Sequence, residues 1–347
     1  MSEPIPSVPL NPHSRIPLLT PEASSNTKPP DDLLITKSHT HPSYPPLQTN
    51  ASIAFIGNAT TLLTYHGARI LTDPNFLHAG DHVHLGPGVT ATRTKNPSVD
   101  ITSLPPIDLI LLSHYHEDHF DRLVEDSLTR SFPIISTPHA QSCLESKSPP
   151  FTAITPLSTF SSAICPIADT TTTSRPAIKI TAMPAQHTPP GPANIVTKIN
   201  DLLGAVPPVN GWLLELGHLA APASQELETG YRIYISGDTL LVDQLQEIPK
   251  WLAGAKVDLM IVHLGGTTIP GPKLPLVMVT MDAKQGVGLM KLVKPEVTVP
   301  VHMEDYDVFV SGVEEFKKEV EKEGLGGGVV MLERGEEYRF WVGGPGG

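Results

Sequence analysis

Apolar residues along the chain fall into short runs that alternate with polar, turn-forming segments. From residue 51, the stretch "ASIAFIGNATTLLTYHGARILTDPNF" contains β-branched runs broken by "GN" and "HG", which is typical of consecutive strands joined by tight turns. The run "IDLILLS", residues 107–113, is too short for a helix and too continuously apolar for an exposed edge strand. It predicts a buried central strand, and the same rhythm of strand and loop continues through residues 161–239.

Two later segments have the spacing and end signals of helices. The first, "DAKQGVGLMKLV", begins at Asp282 as its N-cap and ends before Pro295. The second, "SGVEEFKKEVEKEG", begins at Ser311, which forms the pattern of a capping box with Glu314, and it ends at a glycine. The segment after it, "GGVVMLERGEEYRFWV", predicts a hairpin that turns at Arg334-Gly335.

The order of these elements predicts an α/β fold in which sheets pack face to face. Strands and helices do not alternate strictly, so mixed sheets with peripheral helices are expected. Residues 1–48 are crowded with Pro, Ser, Thr and Asn and bury too little apolar surface to offset their ordering entropy. We therefore expect a disordered Pro-rich tail over residues 1–48, one folded domain over 49–342 and a Gly-rich tail over 343–347.

Composition and charge exclude several classes of partner. The 347 residues carry a formal net charge of -12, which leaves no basic stripe for nucleic acid. The two cysteines are too few for a disulfide framework, and the N-terminus lacks a signal-peptide pattern, so a cytoplasmic location is expected. The longest apolar runs are far shorter than the roughly 20 residues of a membrane helix. We expect a small-molecule substrate, no nucleic-acid partner and no stable membrane anchor.

The segment "SHYHEDHF" concentrates metal-binding side chains directly behind the predicted central strand. His114 and His116 project to the same side of an extended or turning backbone and can bind one cation. Asp118 and His119 follow in the turn and can reach a second cation. The spacing therefore predicts a site for two metal ions.

A solvated loop that happens to be rich in histidine is the alternative interpretation. It is the better one for "HTH" at residues 39–41 and "HVH" at residues 82–84. The segment behind the central strand differs because its ligand types occur in the order H-x-H-x-D-H, and because other predicted strands also end in candidate ligands. Those further candidates are His187, Asp238 and His302.

In chain order, these residues resemble the metallo-β-lactamase superfamily. The matching segments are "ILTDP" with Asp73, "HYHEDH", "AQH", "SGDT" and "VPVH", and the resemblance spans residues 51–342. Its finer detail resembles the branch that contains ascorbate-phosphate lactonases and the phospholipase D acting on N-acylated phosphatidylethanolamine. That branch commonly has Gly-His where this chain has Gly57-Asn58.

The resemblance implies a four-layer αββα sandwich of two mixed sheets, with the site along one edge of both. It implies two divalent metal ions, zinc being expected and manganese or iron being the alternatives. The implied positions are His114, His116 and His187 for one ion, Asp118, His119 and His302 for the other, Asp238 as the bridge, and Asp73 as an outer residue that orients a ligand histidine.

Two residues are candidates for a direct catalytic role. Asp118 could orient a water molecule and shuttle its proton, or it could serve as a ligand only. His263, in "DLMIVHLGG", could contact a leaving group or a developing oxyanion, or it could be a structural histidine. The sequence leaves both alternatives open.

The resemblance implies a metal-dependent hydrolase in which two cations activate water and polarise a carbonyl or phosphoryl oxygen. We expect it to open a small cyclic ester or amide, namely a lactone, lactam or cyclic carbamate. A phosphodiesterase or phospholipase D-like hydrolase is the alternative, disfavoured by the acidic charge and the lack of an anchoring segment. A non-catalytic metal-binding scaffold is the second alternative, disfavoured by the complete ligand set.

Overall fold

A computed structural model describes residues 5–25, 28–41, 49–86, 89–168, 175–189, 206–221, 224–271 and 274–344. Its strands are β1 (Lys37–Thr40), β2 (Ala51–Gly57), β3 (Thr60–Tyr65), β4 (Ala68–Thr72), β5 (His82–His84), β6 (Thr90–Thr92), β7 (Leu109–Leu111), β8 (Ile134–Ser136), β9 (Ile154–Pro156), β10 (Ser162–Pro166), β11 (Pro176–Met183), β12 (Gly211–Leu219), β13 (Leu227–Ile235), β14 (Leu259–His263), β15 (Thr268–Gly271), β16 (Leu274–Met278), β17 (Val297–Val301) and β18 (Glu336–Phe340). Its α-helices are α1 (Arg122–Ser127), α2 (Pro138–Glu145), α3 (Glu247–Leu252), α4 (Ala283–Val293) and α5 (Val313–Lys322).

Most of these strands form two mixed sheets. The first has eight strands in the order β1-β18-β2-β3-β4-β7-β8-β9, and the second has six in the order β10-β11-β12-β13-β14-β17. Strands β4, β7, β8 and β9 run parallel, as do β13, β14 and β17 in the other sheet. The hairpins β5–β6 and β15–β16 lie outside both sheets. None of the helices in the described part of the chain has the length and apolar content of a membrane span.

A large apolar cluster lies between the two sheets. It includes Ile53 and Leu63 from the first sheet and Ile180 and Trp212 from the second, each at most 2% exposed. Successive residues of a strand point to opposite faces of its sheet. The remaining residues of these strands therefore face outward and can pack against a further layer. Both outer faces are in fact covered, which explains why the predicted central strand β7 is apolar at every position.

Helices cover the two outer faces. On the second sheet, Met260 of β14 belongs to one cluster with Leu289 of α4 and Phe316 of α5. On the first sheet, Ile110 of β7 belongs to a cluster with Val124 of α1 and with residues of α2. The four-layer αββα sandwich is therefore confirmed.

Both predicted helices are present, but only the first has the N-cap residue that was predicted for it. Asp282 caps α4 by accepting a hydrogen bond from the backbone N–H of Gln285, as predicted. The capping box predicted for α5 is wrong, because Gly312 is its N-cap and provides no side-chain hydrogen bond. The hydroxyl of Ser311 instead accepts a hydrogen bond from the backbone N–H of Ala283, 2.9 Å away. Ser311 thus supports the first turn of the neighbouring helix α4.

The predicted C-terminal hairpin is wrong, but the turn predicted at Arg334-Gly335 is present, with the backbone N–H of Glu336 donating to the carbonyl of Glu333 at 2.9 Å. The residues before β18 form a 3-10 turn, Gly326–Gly328, and a loop, and Val329 makes an isolated bridge to Thr298 of β17. Strand β18 lies between β1, to which it is parallel, and β2, to which it is antiparallel. Two segments distant in sequence supply the backbone hydrogen-bond partners of β18. It therefore does not need to pair with the residues directly before it in the chain. Residues 345–347 of the predicted Gly-rich tail lie outside the described residues.

The prediction of a disordered N-terminal tail is wrong for the part of residues 1–48 that the structure describes. The backbone N–H groups of Val8 and Leu10 donate to carbonyl groups of the β10 region, each at 2.9 Å, and Leu10 is only 2% exposed. Strand β1 adds a further pairing with β18. These residues cannot form a core by themselves, but the folded domain supplies the apolar and hydrogen-bonding partners. Residues 1–4, 26–27 and 42–48 lie outside the described residues.

Candidate metal centre

The predicted site residues follow the ends of strands from both sheets. Strands β4 and β7 run parallel in the first sheet, and β13, β14 and β17 run parallel in the second. Their carboxyl ends therefore meet at one edge of the sandwich, where loops can carry side chains towards each other. The residues concerned are Asp73 after β4, His114, His116, Asp118 and His119 after β7, His187 after β11, Asp238 after β13, His263 at the end of β14, and His302 after β17.

The structure brings the seven predicted ligands into two adjacent groups. One group is His114, His116 and His187, and the other is Asp118, His119, Asp238 and His302; within each, one ligand atom per residue lies within 4.8 Å of the others. These are the two sets that the resemblance implied, with the predicted bridge Asp238 falling in the second.

Asp238 lies between the two groups. Its Oδ2 is 3.3 Å from Nε2 of His119, 3.7 Å from Nε2 of His302 and 3.9 Å from Nε2 of His187. One carboxylate oxygen thus faces imidazoles of both sets. A carboxylate in this position has the geometry that a bridging ligand needs, although bridging itself stays a prediction.

Hydrogen bonds outside the groups orient the imidazole rings. Nδ1 of His187 donates to the carbonyl of Val279 at 2.5 Å, and Nδ1 of His302 donates to the carbonyl of Leu264 at 2.9 Å. Nδ1 of His114 is hydrogen-bonded to the hydroxyl of Ser113 at 2.9 Å. When Nδ1 is held in this way, Nε2 is left to face a metal ion, which is the usual arrangement of ligand histidines.

Asp73 stands outside the second group and contacts one of its histidines. Its Oδ1 accepts the backbone N–H of Ser113 at 2.7 Å, and its Oδ2 lies 3.3 Å from Nδ1 of His119. The carboxylate is 1% exposed and therefore contacts the ring from the protein interior. This is the position expected of a residue that orients a ligand histidine.

Several buried nitrogen atoms of the site form no hydrogen bonds with the described residues and are available to bind a metal ion. Nε2 of His114, His116 and His119 is buried, and none of these atoms has a hydrogen-bond partner within the described part of the chain. Buried ring nitrogens nearly always have a partner, so three unpartnered ones pointing into one cluster require an explanation. A donor set of imidazoles and carboxylates suits zinc, manganese or iron.

Burial and the nearby carboxylates favour the binding of cations by the two ligand groups. Burial lowers the pKa of His187 to about 4 and holds the pKa of His114 well below its ordinary value, so both rings are neutral at pH 7. Burial also opposes a charge on His119, but Asp238 and Asp118 outweigh it and raise the pKa of that ring well above its ordinary value. The buried carboxylates thus draw positive charge to the second group, and a divalent cation would supply it.

His263 lies behind Asp238. Its Nδ1 is 3.2 Å from Oδ1 of Asp238, and its backbone N–H donates to the hydroxyl of Ser236 at 2.9 Å. It is 1% exposed and is absent from the described residues that line the pocket at the metal groups. His263 thus contacts the Asp238 carboxylate, and its contact with a leaving group stays a prediction.

Thr280 is a site residue that the sequence analysis missed. Its hydroxyl donates to Oδ2 of Asp238 at 3.2 Å, on the opposite carboxylate oxygen from His263. Asp238 is thus held from two sides. No local signal marks Thr280, because a threonine shortly before a helix N-terminus is common in any fold.

Asn58 joins two ligand segments. Its side-chain Nδ2 donates to the carbonyl of Asp118 at 2.7 Å, and its own carbonyl accepts the backbone N–H of His302 at 3.1 Å. Its φ of 50° lies in the left-handed region, as do those of Asp73 and His302 at 34° and 63°. Such conformations are costly for residues other than glycine and cluster at functional sites.

The two H-x-H patterns that were set aside lie elsewhere. Nε2 of His39, in β1, is 2.8 Å from a carboxylate oxygen of Glu336. His82 and His84 are exposed on β5, in a hairpin with β6. Neither pair belongs to the groups that could hold a metal ion.

Comparison with known proteins identifies a family for this chain. The family described as "Beta-lactamase superfamily domain" matches residues 68–303. A "UPF0173 metal-dependent hydrolase" of Archaeoglobus fulgidus is 26% identical over 233 residues, which are 67% of this chain and 82% of that protein. The mitochondrial N-acyl-phosphatidylethanolamine-hydrolyzing phospholipase D of Saccharomyces cerevisiae is 43% identical over 67 residues, which are 19% of this chain and 14% of that protein.

Solved structures share the fold. An isothiocyanate hydrolase from Delia radicum gut bacteria superposes with a TM-score of 0.64 at 18% identity, covering 83% of this chain and 99% of that one. A possible metal-dependent hydrolase from Veillonella parvula has a TM-score of 0.62 at 17% identity, covering 83% and 98%. Since the family match extends over more than half of the sequence, the chain belongs to the beta-lactamase superfamily domain family and is a metal-dependent hydrolase of the metallo-β-lactamase superfamily.

Proposed function

We propose that this hydrolase opens a small, uncharged cyclic ester or amide, such as a lactone, lactam or cyclic carbamate, with two divalent metal ions. The single observation that carries the proposal is the lack of lysine and arginine in the described lining of the pocket at the metal groups. His116, Asp118, His187 and Asp238 form one side of this pocket. The rest of its described lining is aliphatic or hydroxylic: Leu85, Val89, Val206, Val279, Thr267, Thr268 and Thr280.

The described lining of this pocket includes neither lysine nor arginine. A phosphodiester keeps a negative charge throughout its hydrolysis, and proteins usually bind such a group with cationic side chains as well as with metal ions. A cyclic ester or amide is uncharged, and it needs only polar contacts at its reacting group and apolar contacts around its ring. The lining therefore supports the neutral substrate over the phosphodiester.

The ligand residues form two sets, one for each metal ion. His114, His116 and His187 would hold one metal ion, and Asp118, His119 and His302 would hold the other, with Asp238 between them. Two divalent cations would supply Lewis-acid polarisation of the carbonyl and activation of water. Asp118 lies both in the second ligand group and in the pocket lining, so its carboxylate can accept a proton from attacking water.

The partial match to a phospholipase D favours a phosphodiester as the second candidate substrate class. The matched region covers 19% of this chain and 14% of that protein, so it is weak support for this class. The substrate screen therefore includes a phosphodiester.

Metal analysis combined with a substrate screen tests the proposal. Protein purified with added zinc or manganese should contain about two equivalents of metal per chain, because each ligand group can hold one ion. We expect hydrolysis of at least one lactone, lactam or cyclic carbamate, with a larger kcat/KM than for bis(4-nitrophenyl) phosphate. His187→Ala, prepared in the same way, is the control for contaminating activity and should be inactive.

Less than one equivalent of metal would contradict the dinuclear site. A preference for bis(4-nitrophenyl) phosphate over every neutral cyclic substrate would contradict the proposed substrate class and support the phosphodiesterase. Metal binding without turnover of any class would support a non-catalytic scaffold.

A further inference from the structure

Two buried threonine hydroxyls beside the metal groups have no hydrogen-bond partner in the part of the chain that the structure describes. Thr267 and Thr268 line the same pocket as His116 and Asp238. Thr267 is 8% exposed and Thr268 is 4% exposed, and neither Oγ1 has a hydrogen-bond partner among the residues described. Buried hydroxyl groups nearly always form hydrogen bonds, so an unpartnered pair beside a reactive centre indicates a missing ligand.

The backbone ties these hydroxyls to the first ligand group. The N–H of Val279 donates to the carbonyl of Thr267 at 2.8 Å, and the carbonyl of the same Val279 accepts from Nδ1 of His187 at 2.5 Å. Thr268 is paired with Met278 at the base of the β15–β16 hairpin. One residue, Val279, therefore links the backbone of Thr267 to the predicted metal ligand His187.

The same segment is tied to the second ligand group. Thr280, the residue after Val279, donates its hydroxyl to Oδ2 of Asp238 at 3.2 Å. Because the segment contacts both groups directly, the fold sets the positions of the Thr267 and Thr268 hydroxyls relative to the two ligand groups. Such fixed polar groups beside an apolar wall are what orient a substrate in a binding pocket.

We infer that the hydroxyls of Thr267 and Thr268 bind the polar group of an uncharged cyclic ester or amide at the metal centre. A hydroxyl can donate one hydrogen bond and accept two, so the pair can bind a carbonyl or ring oxygen and also an amide N–H. The aliphatic side chains of Leu85 and Val89 line the same pocket, whose volume of about 10 Å³ admits the reacting group but not the whole ring, so they would contact only the ring carbons next to that group. The inference rests on the proposed function for the uncharged substrate, and it names the residues that would select it.

Binding of a neutral cyclic amide, measured before any ring opening that the same spectra would report, tests this inference separately from turnover. The probe is δ-valerolactam, whose dissociation constant for the zinc-loaded protein can be measured by ligand-observed NMR. Thr267→Val and Thr268→Val keep the side-chain shape and remove the hydroxyl, and each should weaken binding about 10-fold, the size expected for one hydrogen bond. Thr267→Ser and Thr268→Ser keep the hydroxyl and should bind the probe as the unchanged protein does.

Thr298→Val is the matched control. Thr298 is 1% exposed on β17, and its Oγ1 is likewise unpartnered in the described structure, but it does not line the pocket. Its substitution should leave probe binding unchanged. All the Val variants should keep the melting temperature of the metal-free protein or raise it, because the hydroxyl removed has no protein partner to lose. If Val prevents folding at either position, Ala replaces it.

Three results would overturn the inference. The first is an unchanged dissociation constant in both Val variants. The second is loss of zinc from these variants by elemental analysis, because it would assign the hydroxyls to the metal site itself. The third is no binding of δ-valerolactam to the unchanged protein. The proposed function is judged by the turnover screen, so its failure is distinguishable from any of these.

Discussion

Asp238 is the residue on which the two ligand groups depend most. Its Oδ2 faces His119, His302 and His187 and also accepts the hydroxyl of Thr280, while His263 contacts its Oδ1. A carboxylate offsets part of the repulsion between two dications, and an amide oxygen supplies neither that charge nor a second equivalent donor. We therefore expect Asp238 to be the position most sensitive to a change of charge without a change of shape.

We predict that Asp238→Asn loses one metal ion preferentially and lowers kcat by about 100-fold or more, while the fold persists. Metal content by elemental analysis, turnover and circular dichroism check the three parts. Asp243→Asn is the control, because Asp243 is an exposed residue of a nearby 3-10 turn. Two retained metal ions with near-normal turnover in Asp238→Asn would show that the bridge is misassigned.

Asn58 combines a hydrogen bond with an unusual backbone conformation, and two substitutions separate the effects. Asn58→Gly tolerates the φ of 50° but loses the bond to the Asp118 carbonyl, which should cost about 1 kcal/mol of unfolding free energy. Asn58→Ala loses the bond and adds left-handed strain of about 1 kcal/mol or more. We therefore predict that the alanine variant is the less stable in urea unfolding and that both bind the second metal ion more weakly.

His66 provides the matched control for Asn58. It has a φ of 47° in the turn between β3 and β4, away from the metal groups. His66→Ala and His66→Gly should change stability without changing metal content. If the Asn58 variants also keep full metal content, the contact between Asn58 and the ligand segments has no role in metal binding.

At the scale of elements, the N-terminal segment is part of the domain. Val8 and Leu10 add backbone hydrogen bonds along β10, and Arg15 donates to the carboxylate of Asp108 at 3.0 Å. This segment connects the second sheet with the first. Its sequence is poor in apolar residues, so a few well-buried ones carry most of the stabilisation.

We predict that Leu10→Ala lowers the free energy of unfolding by about 2 kcal/mol or more, because Leu10 is 2% exposed and packs in the cluster between the sheets. Leu34→Ala, in the same N-terminal region, is the matched control, because Leu34 is 85% exposed and should change stability by less than about 0.5 kcal/mol. Urea denaturation measures both. Equal stability of the two variants would mean that the segment does not dock in solution.

At the scale of the whole molecule, the metal groups link the two sheets. The histidines and carboxylates after β7 come from the first sheet, and His187, Asp238 and His302 come from the second. Ions bound between them would hold the two sheets together at this edge. A ligand that binds only the native state stabilises it by mass action, by about 2.7 kcal/mol at 100 times its dissociation constant.

We predict that chelation lowers the melting temperature by roughly 5 °C or more and that added zinc or manganese restores it. The measurement is a thermal melt before and after dialysis against EDTA, with metal content followed in parallel. A variant with His114→Ala and His302→Ala, which removes one ligand from each group, should show no such shift. An unchanged melting temperature after complete metal removal would mean that the ions do not stabilise the native state.

The sequence alone determined which side chains could form the site. The H-x-H-x-D-H order, the Asp after β13 and the histidines that follow other strands are local features, and the apolar strands before them predict that they share one edge of the sheets. The resemblance then assigned the ligand sets, and the structure groups the same residues. Asp282 at the start of α4 was predictable for a similar reason, since capping involves only a few neighbouring residues.

Tertiary structure alone decided which other groups stand around these ligands. Ser311 caps a neighbouring helix instead of its own, and β18 finds its partners in β1 and β2, at positions far apart in the chain. The Pro-rich composition of the N-terminal segment predicts disorder, yet Leu10 docks on a surface that only the folded domain provides. The threonines at 267, 268 and 280 carry no motif, because their proximity to His187 and Asp238 is a contact between distant segments, which local hydrophobic patterns and turn signals do not encode.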